Sequence, residues 1–260
     1  MNFLHALVLG VVEGVTEFLP ISSTGHLILA SNFLGLPPTE FLKSFEIAIQ
    51  LGAILSVVVL YWRELLVRWE VMKRIAVAFI PTAAIGFLLY PIIKAFLLES
   101  TGVVVGALAV GGIAIILFER WHKESSSLVS GHSSLDEISY LQAALIGVFQ
   151  AVAVVPGVSR AAATIVGGLL VGLKRKTIVE FSFLLAVPTM LAATALDLYK
   201  SAGSFASADF GVLIVGFVVS FIVALLAVKW LLRFIQSHTF TAFGWYRVLL
   251  AAAFVLLMLF

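Results

Sequence analysis

The sequence predicts an all-α polytopic membrane protein made of two inverted repeats, each one re-entrant helical hairpin plus three transmembrane helices. Three observations carry this expectation. The 260 residues are 62% hydrophobic and 12% charged, with a mean hydropathy of +1.16, whereas soluble domains carry about 25% charged residues. Most apolar runs are near the length that crosses a bilayer, about 20 residues. Two runs are too long for one crossing and are broken in their middles by proline, glycine and hydroxyl residues.

The first long run, 3–36, breaks at Pro20-Ile21-Ser22-Ser23-Thr24-Gly25. Proline removes a backbone donor and stops a helix, and hydroxyl side chains can cap the restart. Irregular backbone survives at membrane depth only against protein or a wet cavity, so a re-entrant hairpin facing a cavity is expected. Spans at about 45–62, 75–93 and 103–118 complete a first repeat, 1–118. The serine-rich stretch 119–140 reads as a cytoplasmic linker. A second repeat, 141–260, opens with a run at about 141–173, broken at Pro156-Gly157-Val158-Ser159-Arg160, and continues with spans at about 181–198, 210–232 and 244–260. Trp62, Trp69, Tyr90, Tyr199, Trp230 and Trp245 fall at span ends, where an interfacial aromatic belt would place them.

Sliding the second half onto the first pairs Pro20 with Pro156, Ser23 with Ser159 and Phe45 with Phe181, and a one-residue gap brings Glu13 to Gln150. A hairpin plus three spans crosses the membrane an odd number of times, so the halves must lie inverted. Charge supports this arrangement. Arg63, Arg68, Lys73, Arg74, Arg120, Lys123, Lys174, Arg175, Lys176, Lys229 and Arg233 collect on one side, against Lys43, Lys94 and Lys200 on the other, with Arg160 in the second hairpin and Arg247 just inside the last span. Basic loops face the cytoplasm. The first hairpin then enters from outside, the second from inside, and their broken tips approach each other near the midplane.

The absence of cysteine excludes a disulfide scaffold, thiolate metal sites and cysteine nucleophiles. A formal charge of +2 gives no reason to expect a nucleic-acid partner. There is no GxGxxG, P-loop or HExxH motif. The first run carries Glu13 and Glu17 where a leader would have a clean apolar core, so a cleaved signal peptide is not expected.

Four groups of residues could carry chemistry. Glu13 and Glu17, four apart and flanked by Gly10 and Gly14, share a helix face that another backbone or a ligand could approach. Carboxylates inside a membrane segment usually mark a site, the alternative being a helix lying flat at the interface. Ser22, Ser23, Thr24 and His26 crowd the helix restart, where free amides suit an anion. Arg160, beside small residues, could read a phosphate bidentately or pair with Glu13 or Glu17. Glu46 and Gln50, one turn apart, could line the same pocket, while Glu180, Ser182 and Asp197 read as caps or braces and Lys174-Arg175-Lys176 as a topology anchor.

The segments Glu13-Gly14-Val15-Thr16-Glu17-Phe18-Leu19-Pro20-Ile21-Ser22-Ser23-Thr24-Gly25-His26-Leu27 and Pro156-Gly157-Val158-Ser159-Arg160 resemble the two signatures of the bacterial undecaprenyl-diphosphate phosphatase family, the bacitracin-resistance proteins. The likeness extends to Phe45-Glu46-Ile47-Ala48-Ile49-Gln50-Leu51-Gly52 and Glu180-Phe181-Ser182-Phe183-Leu184-Leu185-Ala186-Val187-Pro188. It implies a multi-pass hydrolase of the bacterial cytoplasmic (inner) membrane, and because the Glu13 hairpin is expected to enter from outside, its pocket is expected to open to the periplasmic or external side. Such an enzyme removes one phosphate from the C55 isoprenyl diphosphate carrier so that the lipid re-enters peptidoglycan synthesis, and it confers bacitracin resistance. It also implies dependence on a divalent cation, Mg²⁺ or Ca²⁺. In this chain Ala161-Ala162 stands where the family usually has Ser-Gly, so a phosphate contact from that serine is absent and Ser159 and Thr164 remain.

On that reading Arg160, Ser22, Ser23, Thr24, Ser159 and Thr164 hold the phosphates. Glu13 and Glu17 bind the cation, or one of them serves as acid or base. Ser23 activated by His26 is the first choice of nucleophile, with direct attack by His26 or a water activated by it as competing versions. The partners expected are the polyprenyl diphosphate lipid and the bilayer; a homodimer is allowed. The rival class is a secondary transporter or lipid flippase, which inverted repeats with a polar midplane would also build. In the cysteine-free background, single cysteines introduced near Ser31 and near Lys174 should label from opposite sides of the membrane; labelling of both from one side would overturn the inverted topology.

Overall fold

The computed structural model describes residues 1–92, 101–122, 134–200 and 210–259, which are helical with no strand among them. The helices are α1 (Phe3–Thr16), α2 (Ser23–Phe33), α3 (Glu40–Leu60), α4 (Trp62–Leu66), α5 (Trp69–Ile92), α6 (Thr101–Trp121), α7 (Tyr140–Ala151), α8 (Arg160–Leu170), α9 (Arg175–Lys200), α10 (Phe210–Phe234) and α11 (Thr241–Leu259). Five of them, α3, α5, α6, α9 and α10, are long and apolar enough to cross a membrane. Of the expected features, Lys94 and Lys123 lie outside the described residues, as do the side chains of Tyr90, Asp197, Tyr199 and Lys200.

Several helices start earlier than their apolar runs. The spans expected from 45, 75 and 181 begin at Glu40, Trp69 and Arg175, because hydropathy registers only the apolar part of a helix whose first turns are polar and capped. Thr39 Oγ1 accepts from the Leu42 amide at 3.2 Å, and Lys43 pairs with Glu40 one turn away. The described ends of the 119–140 stretch, 119–122 and 134–140, are structured. α6 runs into it as far as Trp121, and its far end is docked. A 3-10 turn at Leu135–Glu137 buries Leu135, Ile138 follows it into the core, Asp136 pairs with Arg68, and Arg74 Nε donates to the Ile138 carbonyl at 2.5 Å.

The two broken runs are helix–break–helix hairpins. In the first, α1 ends at Glu17, whose amide still donates to the Glu13 carbonyl, and α2 restarts at Ser23. In the second, a 3-10 turn at Val152–Val154 separates α7 from the break before α8. Gln142 Nε2 donates to the Val171 carbonyl at 3.0 Å, tying the start of this hairpin to its end.

Each hairpin is covered by a helix of the other half. α10 packs on α1 and α3, α5 packs on α7, and α6 pairs with α11. Close approach depends on glycine. Gly14 faces the Ser220 carbonyl and Gly147 the Ala78 carbonyl, where a Cβ would overlap backbone, and Thr82 Oγ1 donates to the Gly147 carbonyl at 2.8 Å across the same crossing. The small residues beside Glu13 therefore admit a neighbouring backbone. At the centre, Phe18 of the first hairpin meets Phe183 of α9 edge-on at 5.4 Å.

Gly147→Val should lower stability by about 1–3 kcal/mol, the usual cost of overpacking, read as a lower thermal midpoint in detergent. Gly106→Ala, whose Cβ would meet open space, should leave the midpoint unchanged or raise it. Equal midpoints for the two variants would mean that the α5–α7 crossing can open at no cost.

Candidate functional site

The hairpin breaks meet around a cavity of about 120 Å³ lined by Glu17, Ser22, Ser23, Thr24, Gln50, Ala153, Val158, Ser159, Arg160 and Met190. Two helix starts open onto it, because α2 begins at Ser23 and α8 at Arg160. Ser22 caps the first by accepting from the Gly25 amide at 3.4 Å, and Ser159 caps the second by accepting from the Ala162 amide at 3.2 Å. Ser22 adopts φ +73°, a left-handed conformation unusual for a residue with a side chain. Such strain persists only where surrounding structure imposes it, and it concentrates at functional sites.

Glu17 is the hub. Its Oε2 accepts from Ser23 Oγ at 2.6 Å and its Oε1 from Arg160 Nη2 at 2.9 Å, so one carboxylate joins the hydroxyl of the first hairpin to the guanidinium of the second. Arg160 occupies the first turn of α8, the positive end of the helix dipole, where a cation is disfavoured. It is held there by Glu17, by the Ser182 carbonyl accepting from Nη1 at 2.8 Å, and by the Phe18 ring 5.7 Å from its Cζ. Arg160 Nε is buried without a hydrogen bond. A second tie joins the tips, Ser159 Oγ donating to the Leu19 carbonyl at 3.3 Å.

Not every expected residue reaches the cavity. Thr164 is fully buried, its hydroxyl spent on the Arg160 and Ala161 carbonyls and on Ser182 Oγ at 2.5 Å. It braces Arg160 through Ser182 instead of facing a phosphate. Gln50 lines the cavity; Glu46 does not. The structure pairs Ser23 with Glu17 and not with His26. His26 Nδ1 donates to the Ser22 carbonyl at 2.8 Å, which leaves Nε2 of the neutral ring to accept from the Tyr246 hydroxyl at 2.7 Å. With both nitrogens engaged, His26 does not activate Ser23 in this arrangement. It borders an apolar cleft of about 560 Å³ with Val12, Leu29, Ala30, Asn32, Phe33 and Phe254.

Glu13 is fully buried and neither carboxylate oxygen accepts a hydrogen bond; Glu17, Glu46 and Arg160 are the charged groups that act on it. Among the described residues no cluster of three or more His, Asp or Glu could hold a metal alone. A Mg²⁺ ion commonly takes one or two carboxylates and completes its shell with substrate phosphate and water; Glu17 lies on the cavity wall, whereas Glu13, one turn before it, is fully buried and not on that wall, so of the two only Glu17 meets the cavity directly.

Ser182, legible in the sequence as a cap or brace, braces Arg160. Two residues around the tips have no site role legible in the sequence: Tyr246 carries no motif, and Arg247 reads only as a charge just inside the last span. Arg247 is fully buried and donates to the Pro20, Ala107, Leu108 and Gly157 carbonyls at 3.0–3.3 Å. A charged residue inside an apolar run was the signal that could have found it.

A family profile described as bacitracin resistance protein BacA matches residues 6–253. A relative from Aquifex aeolicus (strain VF5) named undecaprenyl-diphosphatase is 53% identical over 256 residues, covering 98% of both chains. One of the same name from Sulfurihydrogenibium sp. (strain YO3AOP1) is 56% identical over 256 residues, 98% of this chain and 99% of its own. A third, from Persephonella marina, is 49% identical over the full length of both.

Removing one partner of a buried ion pair costs about 3–5 kcal/mol, so Glu17→Gln should lower the thermal midpoint in detergent clearly. Glu13→Gln removes a desolvated carboxylate that has no donor and should leave the midpoint unchanged or raise it. A drop for Glu13→Gln in chelator-treated protein would show that a protein donor holds that carboxylate.

Proposed function

The chain belongs to the bacitracin resistance protein BacA family, and from that premise we propose that its hairpin pocket hydrolyses undecaprenyl diphosphate to undecaprenyl phosphate and inorganic phosphate, returning the lipid carrier to peptidoglycan synthesis. The observation that carries this reading is the Glu17 carboxylate held between the Ser23 hydroxyl and the Arg160 guanidinium. A base, a nucleophile and a phosphate-binding cation meet in one cavity, a hydrolytic set. The transporter alternative rests on fold analogy alone.

The chemistry follows from the contacts. A substrate phosphoryl group competes with Glu17 for Arg160, which then neutralises the charge that develops on the phosphoryl oxygens. Glu17, released from the ion pair, takes the Ser23 proton. Ser23 Oγ bonds to the terminal phosphorus as the phosphoanhydride P–O bond breaks, and undecaprenyl phosphate leaves with the proton that Glu17 took from Ser23. A water, giving its proton to the regenerated Glu17 carboxylate, then attacks the phosphoserine; as the Ser23–phosphorus bond breaks, Glu17 returns that proton to Ser23 Oγ, inorganic phosphate departs and Ser23 is restored. His26, fixed by Ser22 and Tyr246, holds the strained first turn of α2. Glu13 and Glu17 would hold the divalent cation, which when bound would supply charge neutralisation to the diphosphate.

Lipid chemistry explains the setting. Moving an isoprenoid tail into water would cost about 0.8 kcal/mol per methylene, so the headgroup enters the protein while the tail stays in the bilayer. Family membership supports placement in the bacterial inner membrane, and the basic-residue distribution supports an orientation in which the pocket is reached from the external face. Every residue invoked comes from one chain.

Purified protein in detergent should release phosphate from a long-chain isoprenyl diphosphate and stop when a chelator is added. Glu17→Gln, Ser23→Ala and Arg160→Ala should each lower the rate by about 10²–10⁴-fold, the range set by loss of a catalytic group. No release by folded, lipid-binding wild-type protein would overturn the assignment. Near-normal release by Ser23→Ala with loss in His26→Ala would move the nucleophile to His26 or to a water it activates.

A further inference from the structure

Arg247 is the largest fully buried side chain among the described residues, and no carboxylate there is bonded to it. Its bonds all end on backbone carbonyls. Nε reaches Leu108 at 3.3 Å, Nη1 reaches Pro20 at 3.3 Å, and Nη2 reaches Ala107 at 3.0 Å and Gly157 at 3.1 Å. Pro20 lies midway between Glu17 and Ser23 in the first tip, and Gly157 three residues before Arg160 in the second. One planar group on α11 therefore spans both breaks and anchors them to α6. Space for it is built in, since a Cβ on Gly111 would strike Nη2.

We propose that Arg247 is a positioning residue that keeps the hairpin tips at reacting distance during turnover. The inference rests on the phosphatase reading above. In the resting arrangement three hydrogen-bonded side-chain ties join the tips among the described residues: Arg160 to Glu17, Ser159 to Leu19, and Arg247 to Pro20 and Gly157. The first must open when a phosphate engages Arg160. The second is a single neutral hydrogen bond at 3.3 Å. Arg247 touches neither the nucleophile nor the phosphate-binding arginine, so it stays engaged while the catalytic ion pair is broken, and it holds Ser23 in line with a phosphorus bound by Arg160. Misplacement of reacting groups by about 1 Å costs up to about 10²-fold in rate. A lysine ammonium cannot reproduce a flat fork that reaches carbonyls on two tips and α6 at once.

The test compares wild type with Arg247→Lys, Arg247→Met and Gly111→Ala, measuring kcat and KM for a long-chain isoprenyl diphosphate per mole of folded protein, with the folded fraction taken from thermal melts. The expected result is a fall in kcat of about 10- to 100-fold with KM changed less than about threefold, Arg247→Lys lying between wild type and Arg247→Met. If Arg247→Met does not fold, Arg247→Lys and Gly111→Ala decide. A folded Arg247→Lys and Gly111→Ala pair with wild-type kcat would overturn the proposal, and so would a loss confined to folded fraction. Cysteines introduced by Leu19→Cys and Val158→Cys report tip separation without turnover. Their cross-linking should persist in Arg247→Lys alone and drop when inorganic diphosphate is added; cross-linking equal to that of the Arg247 protein with diphosphate present would sink the inference. If wild type releases no phosphate, the phosphatase reading falls, and the cross-linking result still decides whether Arg247 holds the tips.

Discussion

A chain that breaks its helices inside an apolar protein must find donors and acceptors for the freed backbone without water, and the arrangement of both hairpins follows from that constraint. Unpaired buried carbonyls and amides are costly. Here the Pro20 and Gly157 carbonyls at the two breaks are met by the same guanidinium, Leu19 by Ser159, and the amides of Gly25 and Ala162 by the capping hydroxyls of Ser22 and Ser159. Each hairpin thus completes its hydrogen bonding with groups from elsewhere in the chain, and the tips cannot be satisfied separately.

Satisfying the backbone also concentrates the polar groups that line the cavity. Glu17 closes α1 as its C-cap, Ser23 opens α2 and Arg160 opens α8. The helix ends are where the chain turns and where hydroxyl and charged residues are least costly. Bringing those ends together places a carboxylate between a hydroxyl and a guanidinium. The cost of burying that pair is offset by additional contacts, since Ser182 and the Phe18 ring hold Arg160 from other directions. Glu13, one turn from Glu17 and within its electrostatic reach, is a buried carboxyl whose oxygens accept no hydrogen bond, and such a group is tolerated where function requires it.

The exchange of covering helices serves the same end. α10 lies on the first hairpin and α5 on the second, with α6 and α11 paired beside them. Backbone contact at Gly14 and Gly147 brings each cover close enough that the hairpins are walled by protein. In the proposed reaction a rigid wall matters more than a tight core, because that reaction relies on two loops keeping their relative position.

Helix content, the two breaks and most of the cavity's residues were legible in the sequence, because hydropathy runs, proline–glycine punctuation and intramembrane charges are local signals. Glu17, Ser22, Ser23, Thr24, Ser159 and Arg160 could be named from their positions at the breaks, and Gln50 from its place one turn after Glu46. Partner choice was not legible. Glu17 taking Ser23, His26 turning to Tyr246, Thr164 spending its hydroxyl on its own helix and Ser182, and Arg247 bridging two tips all depend on which helix lies against which. Spacing along a chain says which side chains share a face, whereas the distance between residues more than a hundred positions apart is set only when the helices pack.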